Sequence, residues 1–503
     1  MNGSIQRRVI FMTLALLLPV VSASCGGGVG ITAGGGTGGT GIGPVTGFGS
    51  VIVNGVTYSD AGIDNTRFFD DHGRSKSDLM AGMMVSIFGS INGTSGTADN
   101  IAVLRHVDGP MDDNAVDLAA NRLKVMGQDI LVDTSTVFDN GVTSLADLRT
   151  LQGANVNHPE LEVHGSLDNN GVIHATFIHK WSDDRVTGRD VQIRGIVSGP
   201  PTATTFVVGR KTVDFTGVPG GLPSGVAAGA FVEVKGSLRV SDNVLLATSV
   251  TLEDATGGQP SGSRAEVEGY VNRVLTANAS FELIGPNGVQ TVTWSTGTTA
   301  ITGGTEADIG AGVKVEVEGT RKVGGALAAT KIAIRRASNV RMESTVTAVT
   351  ASSLTIFGKT VTVDALTQYK DDSASGLKTF GQPNILVGDT LEVSAYVDNT
   401  TVPASIVATR VERIGAIAPD RHILQGPLDS ALSPILSIFG ITVVTLPPPG
   451  THFLRPDESE FATQADFFAA VAAGDIVKAR GNQASPLILM NANEVQIEPT
   501  IDN

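Results

Sequence analysis

Cysteine is almost missing from this 503-residue chain, and the single one, Cys25, cannot form a disulfide within it. Aromatic side chains are scarce at 5%, which leaves little material for stacking platforms under bases or sugars. Charged residues reach only 17% and lean acidic, giving a net charge of −15. That balance argues against nucleic acid, whose binding depends on Lys and Arg displacing counterions. It argues equally against a broad electrostatic grip on anionic lipid. Beyond the N-terminus no apolar run approaches the length of a membrane-spanning helix. No Gly-Lys-Ser/Thr sequence opens a helix, and Gly-x-Ser-x-Gly and His-Glu-x-x-His are absent.

The first 25 residues read as a processing segment. Arg7 and Arg8 precede an apolar stretch at 9–21, and Ser22, Ala23 and Ser24 follow. Charge, length and flank are those of a secretory signal. With Cys25 at its end, the segment resembles a bacterial lipoprotein signal. The resemblance implies acylation of Cys25 and a lipid anchor that holds the chain on a membrane without spanning it. Eleven glycines lie between positions 26 and 43, and such a run reads as a flexible tether.

What remains is repetitive. Ala-x-x-Ile or Ala-x-x-Val recurs at Ala98/Ile101, Ala175/Ile178, Ala247/Val250, Ala329/Ile332, Ala408/Val411 and Ala492/Val495, a spacing of 72 to 84 residues. Ahead of it stands a strand closing on glycine, as in Val232-Glu-Val-Lys-Gly236 and Val315-Glu-Val-Glu-Gly319; the fifth copy has Ala395 in that place. Ala265-Glu-Val-Glu-Gly-Tyr-Val271 alternates with period two, as a half-buried strand does. Hairpin signals fall at Val53-Asn-Gly-Val56, Phe357-Gly358 and Phe439-Gly440. A Thr-x-aromatic element marks four copies, at Thr66/Phe68, Thr136/Phe138, Thr367/Tyr369 and Thr451/Phe453. Helical signal is confined to 144–151 and 460–473.

The expected fold is therefore all-β: a tandem array of about six small OB-like β-barrels, with a small sandwich as the alternative unit. The boundaries read as 1–25 signal, 26–43 linker, then copies at 44–106, 107–186, 187–258, 259–338, 339–416 and 417–503. The segments just before the glycine-closed strands differ most between copies, and contacts with a partner are expected there.

Thr46-Gly-Phe-Gly-Ser-Val51, following a Gly-rich tether and an N-terminal cysteine, resembles extracytoplasmic bacterial proteins with tandem domains of unknown function, family number 5666. The resemblance implies fold and location; it brings no activity, cofactor or catalytic residue.

Histidine is the most clustered reactive type, with His158, His164, His174 and His179 all in the second copy. His164 and His174 lie on two strands of one expected hairpin, and with Asp183 or Asp184 they are candidate zinc or copper ligands. Solvent-facing strand positions are the competing reading. Asp70-Asp-His-Gly-Arg74 gathers acid, base and cation but reads as a polar turn, and Asp168-Asn-Asn-Gly171 as a hairpin turn rather than a calcium loop. No catalytic residue and no cofactor is assigned. The expectation is a non-catalytic binding or scaffolding array of the cell envelope, in the periplasm or at the outer membrane, with an envelope protein or glycan as partner. An envelope spacer or adhesin is the alternative, and a metal-dependent enzyme stands third.

Overall fold

The structure, a computed structural model, describes residues 39–501; Cys25 and the signal segment lie outside the described residues. Each sequence copy folds into one five-stranded barrel. In barrel 2 the strands are Val107–Asp117, Arg122–Val125, Gln128–Leu131, Glu160–Leu167 and Val172–Ser182. The first pairs with the second and the second with the third, both antiparallel. The third runs parallel to the fifth, which pairs with the fourth, and the fourth returns to the first. The ring closes in the order 1-2-3-5-4, an OB-like barrel rather than a sandwich, and closure removes exposed edges.

All six copies repeat this order, and the parallel pair is diagnostic. It joins Tyr58 to Gly96, Ile130 to Ile173, Val213 to Leu245, Val292 to Leu327, Val361 to Ile406 and Val443 to Leu489. The two short helices, Leu145–Gln152 and Gln464–Ala470, sit between third and fourth strands; Ser144 and Thr463 cap them by accepting the N–H of Asp147 and Asp466.

One boundary differs from the expectation. Gly39–Gly47 is the first strand of barrel 1, so residues 39–43 are not tether. Their glycines answer to packing. A Cβ on Gly41 would lie 2.4 Å from the Tyr58 hydroxyl, and one on Gly43 would lie 2.2 Å from Asn54 Oδ1. Both of those side chains are buried against this strand.

The barrels are consecutive in sequence but do not sit like beads. The leading half of each first strand bonds to its own fourth strand and leaves its other edge open, and these open edges pair between barrels. Val107 and Asp108 of barrel 2 face Ile193 and Gln192 of barrel 3. Met342 of barrel 5 faces Leu424 of barrel 6. Barrel 1 reaches across two copies, with Gly41 beside Glu266 of barrel 4 in parallel. One apolar core accordingly runs through barrels 2 and 3, and another through 5 and 6.

Candidate functional site

The four histidines of barrel 2 do not converge. Each takes a different carboxylate: His158 with Asp113 at 2.8 Å, His164 with Glu162 at 2.6 Å, His174 with Asp168 at 3.3 Å and His179 with Asp139 at 2.6 Å. His164 is fully buried against barrel 1, where its Nδ1 accepts the Met84 N–H, so both ring nitrogens are engaged. His174 packs on Tyr270 of barrel 4, ring centroids 4.4 Å apart. The proposed metal pair is thus divided between two interfaces. Asp183 is taken by Lys180, and Asp184 accepts the His158 N–H. Asp168 closes its hairpin by accepting the N–H groups of Asn170 and Val172.

The segment read as a polar turn, residues 70–74, is instead a docking element between barrels. His72 Nε2 meets Asp108 Oδ2 of barrel 2. The Arg74 guanidinium forks onto Glu162 at 2.8 and 2.6 Å. Arg105, itself fully buried, reaches Asp70, Glu162 and Asp71. Arg189 takes Asp108 and Glu160, and Lys235 of barrel 3 takes Asp71. Burial pushes the Glu162 carboxyl up, but the hydrogen bonds from His164 and Arg74 and the charge of Arg105 outweigh it and hold the group well below its usual range. Burial also lowers His164, and because its Nδ1 accepts the Met84 N–H, the ring meets Glu162 through Nε2.

Among the described residues, the only three potential ligands whose atoms lie within 4.8 Å of one another are His72, Asp108 and Glu162. The chemistry of this set does not fit a metal well, because Arg74, Arg105 and Arg189 already occupy the carboxylates. The group reads as a buried ion-pair network.

Beside this network opens a cleft of about 710 Å³ between barrels 1, 2 and 5. Smaller spaces of about 80, 290 and 270 Å³ lie at other junctions. Its walls are the segments before the fourth strands of barrels 1 and 5, with the last strand of barrel 2 as the third side. Phe48, Met80 and Leu377 line it with Trp181, one of only two tryptophans in the chain, and Tyr369, one of four tyrosines. The guanidinium groups of Arg74 and Arg189 approach the Trp181 ring to 4.9 and 5.0 Å, and the rings of His72 and His179 lie 4.9 and 4.5 Å from it. Lys378 of barrel 5 crosses to barrel 1, donating to the Ser77 carbonyl with its ammonium 4.8 Å above Phe48. Volume and mixed lining are those of a small-molecule site. Trp181 gave no signal in the sequence, since a lone aromatic on a strand looks like any core residue.

The family model described as Domain of unknown function (DUF5666) matches residues 109–179, 194–251, 268–333 and 343–412, more than half of the chain. The chain belongs to this family. The four DUF5666 matches fall on barrels 2 to 5, whereas the Thr46-Gly-Phe-Gly-Ser-Val51 element lies in barrel 1. Two solved structures show a weaker likeness. Drosophila Unr CSD456 is 11% identical, with a TM-score of 0.17, covering 47% of this chain and 98% of its own. A multidomain protein with nucleic acid binding domains from Streptococcus pneumoniae TIGR4 is 11% identical, with a TM-score of 0.11, covering 47% of this chain and 73% of its own. Such scores carry nothing about what this DUF5666 chain binds. No curated protein matches it.

Proposed function

We propose that this protein is a non-catalytic binding assembly of the cell envelope, and that its ligand sits in the cleft between barrels 1, 2 and 5. The observation that carries this reading is the cleft itself: a chain poor in aromatics places Phe48, Trp181 and Tyr369 around one cavity of ligand size. The nearby imidazoles are paired with Asp108 and Asp139, and Asp371 and Asp372 with Arg413 and Lys370, which favours holding a molecule over transforming it. Location at the envelope rests on the sequence of the signal segment and on Cys25.

A spacer or adhesin gains from length. Pairing of barrel 1 with barrel 4, and contacts of barrel 1 with barrel 5 through Lys378, fold the chain back and favour binding over reach. The test is capture from envelope extract by the chain from residue 26 onward, compared with the same chain carrying Phe48→Ala and Leu377→Asn. A molecule identified by mass spectrometry on the first and lost from the second is the expected result. Equal capture by both, with both shown to be folded, would remove the cleft as the site.

A further inference from the structure

Charge bookkeeping around the cleft leaves one group over. Among its cations, Arg74 is taken by Glu162 and Lys370 by Asp372 and Glu412. His72 and His179 rest on Asp108 and Asp139. Among its carboxylates, Asp371 is held by Arg413, and Asp78 accepts both the N–H and the hydroxyl of Ser75. Lys378 differs. Among the described residues no carboxylate lies within ion-pair distance of its ammonium, whose contacts are the Ser77 carbonyl and the face of Phe48. Burial lowers its pKa, and the more distant charges of Asp78 and Asp60 only partly oppose that.

Much of the remaining lining is apolar. Leu377 is 37% exposed beside Lys378, Phe48 and Met80 are half-buried, and Leu79 and Met83 are buried behind them. Methionine is unbranched and adaptable, and suits a surface that must follow a flexible chain.

Resting on the reading of this cleft as the ligand site, we propose that its ligand is an amphiphilic anion, with an apolar body along Phe48, Met80 and Leu377 and a single carboxylate or phosphate on Lys378. Such a head would supply the counter-charge that Lys378 lacks, in a partly desolvated setting where a charge-assisted hydrogen bond is strong. The body would displace water from apolar walls. A neutral molecule of the same shape would gain only the second contribution, and a small anion only the first.

The experiment is calorimetric titration of the chain from residue 26 onward with octanoate, octanol and acetate, and with octyl phosphate to separate carboxylate from phosphate heads. Octanoate or octyl phosphate is expected to bind about 10- to 100-fold more tightly than octanol, the range of a hydrogen bond to a charged group, with acetate weaker than either. Lys378→Met should abolish the preference for the anions over octanol, the comparison being made within the variant so that any general change of the cleft wall cancels. Octanol binding as well as the anions, or Lys378→Met without effect, overturns the assignment of an anion. If Phe48→Ala still weakens octanol in that case, the cleft stands as a site and only the head group is wrong. If no probe binds while extract capture still depends on Phe48 and Leu377, the amphiphile is wrong and the site is right; if capture is also indifferent to them, both readings fall.

Discussion

The hydroxyl of Thr136 donates to the carbonyl of Ala175 at 2.8 Å, and that bond ties two repeated sequence elements together. Phe138, two residues on, lies in a short strand parallel to Ile178. The same clasp recurs at Thr367 with Ala408 (3.1 Å) and at Thr451 with Ala492. Barrel 4 has it at Thr299 with Ala329 (3.0 Å), although its partner two residues on is Ile301 rather than an aromatic. Thr136→Val keeps the shape and removes the donor, leaving a buried carbonyl without this partner. The expected cost is about 1–3 kcal/mol in urea unfolding; a midpoint equal to wild type would show the clasp to be idle.

The repeated glycine of the fourth strand does not close it, since in barrels 1 to 4 the strand runs on two or three residues past Gly89, Gly165, Gly236 and Gly319, and its cause is steric. Gly236 is the register partner of Ala247, at a bulge, and a Cβ there would sit 1.9 Å from the Leu246 carbonyl oxygen. Gly89, Gly165 and Gly319 stand opposite Ala98, Ala175 and Ala329 in the same way. Ala395 occupies this place opposite Ala408 in barrel 5, and nothing in the structure explains its tolerance there. Gly236→Ala is expected to destabilise barrel 3 by about 1–3 kcal/mol, the usual cost of overpacking. Thermal unfolding measures it, and an unchanged midpoint would mean the bulge relaxes freely.

These elements were legible because all their partners lie within one barrel and recur with its period. The docking segment was not. Arg74 and Glu162 are 88 residues apart and belong to different barrels, a separation that no repeat encodes. Residues 70–74 therefore carried only the composition of a turn. Composition also misplaced Gly39, Gly41 and Gly43, which resemble the preceding glycines yet are required by Ile91, Tyr58 and Asn54. Cleft and histidine partners both depend on how barrels pack, and a single sequence is silent on that.

Arg105 is the test of that packing. Its guanidinium is fully buried between Asp70 and Glu162, and those charges raise its pKa despite burial. Arg105→Met leaves two buried carboxylates short of a cation, a loss expected to cost about 3–5 kcal/mol. Since the network joins barrel 1 to barrel 2, barrel 1 should then melt in an earlier, separate transition. Arg239→Met, at an exposed pair with Asp242, is the control. Coincident transitions with the wild-type midpoint for Arg105→Met would show that strand pairing alone holds the barrels together.

The junction of barrels 1 and 4 should respond to pH in a defined direction. Glu266 and Glu316 point outward from the first and fourth strands of barrel 4 and are 1% and 0% exposed. Burial, then the charge of neighbouring Glu318, raises Glu266 to about 8; burial, with Glu318 and Glu266 against Lys331, raises Glu316 likewise to about 8. Both carboxyls therefore stay protonated in the folded chain well above 4.5, the value at which they ionise once unfolded. Across that window the folded state holds more protons than the unfolded one, so stability is fully present below about 4.5 and falls as pH rises towards about 8. The limiting slope is about 1.4 kcal/mol per pH unit for each group. Other groups titrate as well, so the informative quantity is the difference between wild type and a Glu266→Gln, Glu316→Gln double variant. Urea midpoints should show the variant gaining on wild type steadily from acid to mildly alkaline pH. Parallel curves would mean that the two carboxyls are solvated at this junction and that it does not sense protons.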